Sequence, residues 1–312
     1  FSLLAHKFGS PWIYAALEQG MEAHPGQPSV WELQDTFDLG AIHPETKLVG
    51  LLGPPSQTYP LAARLNEGMK TVGVAFRSLP FDFTNPEKLA KRLEVLKIRT
   101  VVVLPGWAEK IRPLVEKRET AVEQTGCLDL LLRQADGWHG YNLIWRSVLS
   151  AVENRLGSSG TESDRPLDRR SVLVLGTNEL AKSVLYGLSR RKGALTISGP
   201  REDEARALAE ELKIRCVPLY NLYDHLPDVV ILTDPQLHFG HRKTELNSAF
   251  LRPNMTVADV TAGADDSDFL REARERGCHL VEPSELLQSH VGALFKTITG
   301  QPSPGDAAHG DE

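Results

Sequence analysis

The chain has 312 residues, of which 41% are hydrophobic and 24% charged, and its net charge is −6. This balance is typical of a globular protein that is long enough for two domains. The acidic charge, without a long basic block, argues against nucleic acid or an anionic membrane as the main partner. No apolar stretch approaches the ~18 residues that span a bilayer. The three cysteines show no CxxC spacing, which favours a reducing, cytoplasmic compartment and no structural metal.

The first half of the chain alternates predicted helices and strands. The segment 8–20 is predicted to form a turn that leads into a helix, and Ser29 is predicted to cap a second, short helix. Strands are predicted over 46–53, 71–81 and 100–104. Asn85 and Pro86 suit the start of a helix between the last two strands. The spacing is typical of a small α/β lobe.

A boundary is predicted at residues 154–170, where Ser, Gly and charged residues replace apolar periodicity. Strands are predicted after it over 171–176, 194–198, 228–233, 255–260 and 279–283, and helices over 178–191, 202–212, 268–277 and 284–300. This alternation indicates a Rossmann-like, doubly wound parallel sheet. The predicted fold class is therefore α/β, with a small substrate-type lobe followed by a Rossmann-like lobe.

The turn after the 171–176 strand is where such a lobe places its phosphate-binding loop. Close approach of a pyrophosphate favours several glycines, but the loop GTNELA contains only Gly176 and adds the acidic Glu179. Two interpretations of this loop remain open: a plain strand-to-helix turn, and a loop that binds a cofactor weakly. The cofactor-binding candidates are Gly176, Thr177, Asn178, Arg201 and Thr233. Arg201 suits the 2′-phosphate of NADP, or else is a solvated arginine at a helix start.

Trp107 lies where a catalytic or ligand-binding residue of the first lobe would be expected. It follows the apolar strand 100–104 and the Pro105-Gly106 stop, and open α/β sheets bind ligands just past such strand ends. An indole accepts no proton and carries no charge. Elsewhere, Asn142 is placed either to bind a polar ligand or to cap a helix. The histidines show no metal-binding spacing, and no GxSxG motif is present.

The order of these segments resembles the shikimate dehydrogenases, and most closely the fusions of type I 3-dehydroquinate dehydratase with shikimate dehydrogenase. The matching segments are KFGSPWIYA (7–15), PGQPSVWEL (25–33), TKLVGLLGPP (46–55), VVLPGW (102–107), TGCLDLL (125–131), GYNLI (140–144), VADVTAG (257–263) and HVGALFKTITG (290–300). The first two are similar to the end of a dehydratase, which implies a dehydratase-like domain upstream in the same polypeptide. The rest implies a two-lobe dehydrogenase whose cofactor is NADP.

The resemblance also implies that the catalytic positions are altered. The family transfers a proton with a lysine and an aspartate, and these positions fall on Trp107 and Ile144. Such a group is worth about 10²–10⁴ in rate, and neither residue supplies one. Lys110 lies one helical turn beyond Trp107. The substrate-pocket candidates implied by the resemblance are Ser56, Thr58, Tyr59, Val103, Trp107, Asp129, Asn142, Ala262 and His290.

The resemblance and the composition together divide the chain. The predicted regions are a dehydratase remnant and linker (1–45), a substrate-binding lobe (46–153), a connector (154–170), a Rossmann-like lobe (171–283), a closing helix that packs on the substrate lobe (284–300) and a disordered tail (301–312). Three functions remain open: a module without shikimate dehydrogenase activity, an active NADP-dependent enzyme on shikimate or quinate, and an oxidoreductase with a less polar substrate. NADP is expected to bind weakly or not at all. A small-molecule ligand and a homodimer are compatible with each function.

Overall fold

The computed structural model describes residues 2–18, 20–24, 27–81, 86–158, 165–240, 242, 244–261 and 267–304. The chain forms two compact units, and each is built on a six-stranded sheet. Unit 1 contains the described residues of 1–119, 128–141 and 291–312, and unit 2 contains those of 120–127 and 142–290. The predicted α/β fold class is confirmed.

Unit 1 has a mixed sheet. Its helices are α1 (Ser2–Lys7), α2 (Pro55–Val72), α3 (Pro86–Val95) and α4 (Ala108–Ile111). Its strands are β1 (Lys47–Leu52), β2 (Phe76–Pro80), β3 (Thr100–Val103), β4 (Lys117–Arg118), β5 (Leu130–Gln134) and β6 (Gly137–Tyr141). The strand order is β2-β1-β3-β5-β6-β4. β5 runs antiparallel to its neighbours β3 and β6, whereas the other pairs are parallel.

Unit 2 has an all-parallel sheet. Its helices are α5 (Thr120–Thr125), α6 (Ile144–Ser158), α7 (Glu179–Leu188), α8 (Glu202–Leu212), α9 (Asp268–Glu275) and α10 (Pro283–Thr299), the last of which continues into unit 1. Its strands are β7 (Ser171–Leu175), β8 (Ala194–Ser198), β9 (Arg215–Cys216), β10 (Val229–Leu232), β11 (Thr256–Asp259) and β12 (His279–Val281). The order β12-β11-β10-β7-β8-β9 reverses direction between β7 and β10. That is the doubly wound order, and ligands of such sheets bind at the reversal.

The core of unit 2 lies on both faces of this sheet. Along β7, Val172 and Val174 join one apolar cluster, and Leu173 and Leu175 join the other. Because side chains alternate along a strand, a strand covered on both faces has a continuous apolar sequence. This explains why the run SVLVL was recognisable in the sequence. No helix in the described ranges is long and apolar enough to cross a membrane.

The prediction of a helix over 8–20 is wrong. The helix is α1, which ends at Lys7, and Gly9 then adopts a φ of 86°. Ala16 instead forms a bridge with Ser29 in the segment that follows. Ser29 does begin a short helical segment, as predicted. Its hydroxyl accepts from the amide of Glu32 at 3.2 Å, and the Glu32 carboxylate accepts from the amide of Ser29 at 2.7 Å, which is a capping box.

The region 55–72 also differs from the prediction. It forms α2, with Pro55 at the first helical position, where its missing N–H costs nothing. α2 runs to Val72 and ends at Gly73, whose φ is 73°. The strand predicted over 71–81 is therefore shortened to β2. Asn85, the predicted cap of the next helix, lies outside the described residues.

The boundary between the units lies earlier than the predicted connector. α6 continues to Ser158, so residues 154–158 are helical, and unit 2 already includes 142–153. The helix continues because Val148, Val152 and Leu156 bury one apolar face in the core of unit 2. Residues 159–164 lie outside the described residues. The segment 138–145, predicted as a loop-to-helix join, is a strand-to-helix join, since β6 ends at Tyr141.

Candidate functional site

Several candidates of unit 1 lie at one edge of its sheet. The ends of β1 and β3 meet the start of β5, because β1 and β3 are parallel and β5 is antiparallel to β3. Asp129 precedes β5 and lies opposite Val103, whose amide donates to the carbonyl oxygen of Asp129 at 2.8 Å. Residues 56–59 begin α2, just after the end of β1. Both Val103 and Asp129 are fully buried.

Trp107 lies just beyond this edge. Gly106 adopts a φ of 83° in the turn after β3, and Trp107 stands at the N-terminal end of α4. The side chain of Trp107 is half-buried. The ammonium of Lys110 lies 4.0 Å from the centroid of its ring, which is a cation–π contact. The mouth of β3 is therefore lined by an indole that carries a cation on its face.

The hydroxyl candidates at the start of α2 have different surroundings. Ser56 is exposed. Thr58 is fully buried, and its hydroxyl donates to the carbonyl oxygen of Pro54 at 3.2 Å, within the helix start. Tyr59 packs edge to face on Phe37, with the ring centroids 5.7 Å apart. Burial, with smaller contributions from nearby carboxylates, raises the pKa of Tyr59 to about 12. Its hydroxyl is therefore a hydrogen-bonding group and not a base at neutral pH.

Asn142 lies in the interior of unit 2. Its amide nitrogen donates to the Thr125 hydroxyl at 3.1 Å, and its amide oxygen accepts from the Ser183 hydroxyl at 3.0 Å. All three side chains are buried. Since α5 and α7 contribute the two hydroxyls, the amide links these helices to the start of α6.

Ile144 and His290 lie in different surroundings. Ile144 is 8% exposed and belongs to the apolar core of unit 2. His290 is half-buried on α10, and its Nδ1 lies 3.2 Å from the hydroxyl of Ser147. Burial lowers the pKa of His290 to about 4. The imidazole is therefore neutral at physiological pH.

The cofactor candidates meet at the reversal of the sheet in unit 2. Gly176 follows β7 with a φ of 131°, and a Cβ there would lie 2.5 Å from the hydroxyl oxygen of Thr233. Thr233 follows β10, and its hydroxyl donates to the carbonyl oxygen of Leu175 at 2.9 Å. Asn178 donates to the carbonyl oxygen of Thr233 at 2.7 Å and accepts from the amide of Ala181 at 2.9 Å. Hydrogen bonds from these side chains thus hold the loop against the ends of β7 and β10.

The carboxylate of Glu204, on α8, brings the candidates Thr177 and Arg201 together. The carboxylate of Glu204 accepts from the hydroxyl of Thr177 at 3.2 Å and pairs with Arg201 at 2.8 Å. Arg201 is well exposed, so this pair is weak. A dinucleotide phosphate at this position would meet the carboxylate of Glu204 as well as the guanidinium.

One candidate cannot be placed. Ala262 lies outside the described residues. Among the parts of the chain that are described, no three His, Cys, Asp or Glu side chains come together as metal ligands would.

Comparisons with known proteins find similarity to shikimate dehydrogenases. No protein-family model matches it. It is 25% identical to the chloroplastic bifunctional 3-dehydroquinate dehydratase/shikimate dehydrogenase of Arabidopsis thaliana, over 97% of this chain and 52% of the relative. The chain therefore spans about half the length of that protein. It is 22% identical to the NADP(+) shikimate dehydrogenase of Aquifex aeolicus, over 86% of this chain and 96% of the relative. The chain is a relative of the shikimate dehydrogenases.

Solved structures agree on the shikimate dehydrogenase fold. The crystal structure of the Aquifex aeolicus shikimate dehydrogenase matches with a TM-score of 0.68 at 21% identity, over 85% of this chain and 96% of that one. The quinate dehydrogenase from Corynebacterium glutamicum in complex with NAD matches with a TM-score of 0.68 at 18% identity, over 84% and 96%. At this identity the match shows the fold and not the chemistry.

The sequence did not reveal how this shikimate dehydrogenase relative uses its buried polar groups. Thr125 and Ser183 were not singled out, although both bond to Asn142. Glu204 was also missed, because its partners Thr177 and Arg201 belong to different segments. Among these polar groups, only the asparagine that caps α7 could be recognised from the sequence, because it directly precedes an apolar periodic segment.

Proposed function

We propose that this shikimate dehydrogenase relative has no shikimate dehydrogenase activity and serves as a structural, dimerising or ligand-sensing module. One observation carries the proposal. At the mouth of β3, where the resemblance expects a catalytic lysine, the residue is Trp107, and Lys110 lies on the face of its ring. An indole takes up no proton from a hydroxyl group, so the proton transfer that accompanies hydride removal has no acceptor at this position.

The aspartate position supports the same conclusion. Ile144 lies in an apolar core, and a carboxylate in such surroundings is disfavoured in its charged form. Asp129 adds a second obstacle, since its buried carboxylate would repel an anionic substrate such as shikimate. Loss of the chemistry therefore involves the surroundings of the site as well as the two catalytic positions.

Cofactor binding is proposed to be weak or absent. NADP supplies hydride transfer when it is bound, and Gly176, Thr177, Asn178, Arg201 and Thr233 are the residues that would hold it. The Asn178 side chain is already bonded to Thr233 and Ala181, and Glu204 is paired with Arg201. Together with the acidic Glu179, these contacts fit a pyrophosphate poorly.

The test is NADPH formation from NADP⁺ and shikimate or quinate, followed by absorbance, with the Aquifex aeolicus enzyme as the positive control. We expect the rate to equal that without protein. A thermal-shift screen with NADPH, NADH, shikimate and dehydroshikimate accompanies it, to detect a retained ligand. Turnover of shikimate by the unmodified protein would overturn the proposal.

A second candidate function is an oxidoreductase with a less polar substrate. The contact between Lys110 and Trp107 favours it, since this amine is next to the strand mouth and the indole offers an apolar wall. A panel of apolar secondary alcohols with NADP⁺ and NAD⁺ tests this function. The test variant is Lys110→Met, and the control is Lys70→Met, on an exposed turn of α2. Activity that is lost in the first variant and retained in the second would establish the oxidoreductase function in place of the first proposal.

We further propose that a dehydratase-like domain precedes this chain in the same polypeptide. The support is that the Arabidopsis relative is bifunctional and that this chain covers 52% of it. Reading the parent open reading frame tests the proposal, and a start codon directly before Phe1 would contradict it. A homodimer remains a prediction, which light scattering on the purified chain tests.

A further inference from the structure

The end of β8 lies directly beside the loop that follows β7 in unit 2. The amide of Gly176 donates to the carbonyl oxygen of Ser198 at 2.8 Å, and a Cβ on Gly199 would lie 2.9 Å from Thr177 Cγ2. In doubly wound lobes that bind dinucleotides, the turn after the first strand faces the pyrophosphate, and the end of the next strand faces the adenosine ribose. The segment from Ser198 to the start of α8 therefore has the ribose position of this fold.

A carboxylate from α8 reaches back to this position. Glu204 lies in the first turn of α8, and its Oε2 accepts from the hydroxyl of Thr177 at 3.2 Å. The hydrogen bond joins α8 to the loop after β7, which lies 27 residues earlier in the chain. The side chain of Glu204 is nevertheless 42% exposed. A ligand at the end of β8 can therefore reach this carboxylate.

Arg201 is the candidate that would hold the 2′-phosphate of NADP. Its side chain is 70% exposed, and its Nη2 lies 2.8 Å from Oε2 of Glu204. Such an exposed pair contributes little to stability. The pair nevertheless changes the charge that a ligand meets, because the carboxylate offsets the attraction of the guanidinium for an anion. A 2′-phosphate would approach an ion pair in place of a single cation.

The rest of the first turn of α8 is also unfavourable to a phosphate. Glu202, Asp203 and Glu204 are its acidic residues, and Arg206 pairs with Glu202 at 2.5 Å. Residues 201–206 thus carry three carboxylates and two guanidinium groups, which gives a net negative charge. The start of a helix attracts anions, and here the helix's own carboxylates occupy that place. The ribose position therefore lacks the positive charge that a 2′-phosphate needs.

We propose that Glu204 makes this position accept an adenine nucleotide with a free ribose 2′-hydroxyl group and reject one with a 2′-phosphate. A carboxylate accepts hydrogen bonds from ribose hydroxyl groups and repels a phosphate group. The remaining affinity for a dinucleotide is then for NAD, whereas the Aquifex aeolicus relative is an NADP(+) enzyme. The inference rests on the weak cofactor binding of the proposed function, and adds which nucleotide the site accepts.

Nucleotide titrations of the whole chain test the proposal, followed by protein NMR because binding is weak. The probes are 5′-AMP and 2′,5′-ADP, which differ only in the 2′-phosphate, and NAD⁺ and NADP⁺. We expect the nucleotide without the 2′-phosphate to bind at least about tenfold more tightly in each pair. The amide resonance of Gly199 should be among those that shift. Shikimate is left out, so the result does not depend on activity.

Glu204→Gln keeps a side chain that can bond to Thr177 and removes the negative charge beside Arg201. It should reduce the preference for NAD⁺ over NADP⁺ by at least about tenfold, mainly through tighter NADP⁺ binding. Adding Arg201→Gln to this variant should remove the gain. Glu211→Gln, at an exposed position near the end of α8, is the matched control and should leave the preference unchanged.

Tighter binding of NADP⁺ than of NAD⁺ by the unmodified chain would overturn the proposal, as would an unchanged preference in a folded Glu204→Gln protein. So would an absence of binding by all four nucleotides at about 10 mM in both proteins. None of these results would restore shikimate dehydrogenase activity to the chain. Turnover of shikimate with NAD⁺ would instead overturn the proposed function and leave the role of Glu204 intact.

Discussion

The ammonium of Lys110 lies 4.0 Å from the centre of the Trp107 ring. The face of an indole attracts a cation, so this contact helps to hold the Lys110 side chain against Trp107. The amine next to the mouth of β3 is therefore positioned by an aromatic ring.

Placing a lysine and an aspartate at the two positions that the resemblance aligns with catalytic residues should not produce a shikimate dehydrogenase. We expect the double variant Trp107→Lys, Ile144→Asp to show no more than trace oxidation of shikimate, because Val103, Asp129 and His290 remain unsuited to a polyol acid. The buried aspartate should also lower the free energy of unfolding by about 1–4 kcal/mol. NADPH formation and a urea unfolding curve measure the two effects.

The single variant Trp107→Lys separates these effects, since Trp107 is only half-buried and its replacement should cost less stability than that of Ile144. Robust turnover by the double variant would mean that the remaining polar residues form a working site. The alignment of those positions would then be wrong.

NADPH binding should be very weak. The loop after β7 has one glycine, the acidic Glu179 and an asparagine already bonded to Thr233. Calorimetry should therefore give no saturable binding at micromolar concentrations. Glu179→Gln removes the carboxylate and should improve the affinity if the loop faces the phosphates. A dissociation constant in the low micromolar range for the unmodified chain would refute this expectation.

Gly176→Ala should destabilise unit 2 by about 1–3 kcal/mol. The φ of 131° disfavours any side chain, and the new Cβ would lie 2.5 Å from the Thr233 hydroxyl and 2.9 Å from Asp234 Cβ. Gly157→Ala is the matched control, since a Cβ there meets nothing within 4 Å and the residue lies within α6. It should raise stability by about 0.5–1 kcal/mol. Equal melting temperatures for the two variants would contradict this explanation.

Asn142→Ala should destabilise the chain by about 1–3 kcal/mol, because it leaves the buried hydroxyls of Thr125 and Ser183 without this partner. Asn221→Ala, at an exposed position, is the control and should change stability by less than about 0.5 kcal/mol. Chemical denaturation of both variants measures the difference. A ligand role for Asn142 would instead predict little change in stability.

His290 should make stability depend on pH between about 4 and 6.5. Burial lowers the pKa of His290 to about 4, against 6.5 in the unfolded chain. Within that interval the unfolded chain binds a proton that the folded chain does not, so stability rises with pH there. The stability that depends on a neutral His290 is therefore fully present above pH 6.5 and is lost as the pH falls through 4. His290→Phe should flatten this part of the profile, and His279→Gln, at an exposed position, should not.

The sequence determined the parts of the fold that depend on local signals. The apolar runs of β1, β3, β7 and β10 were recognisable because both faces of these strands are buried. The capping box at Ser29 and Glu32 was predicted in part from the serine alone. The position of Trp107 just after a strand also needed only the sequence, because the position of a residue after a strand is a local property.

The tertiary structure decided which polar groups have partners. The partners of Asn142 are 17 and 41 residues away along the chain, and Glu204 lies 27 residues from Thr177. No periodic pattern encodes such distances. Long-range packing also decided that residues 8–18 are not helical and that α6 extends to Ser158, since helix boundaries depend on the surface available to bury an apolar face. Hydrogen bonds and burial between distant segments form only when the chain is folded, and for that reason they could not be predicted from the sequence.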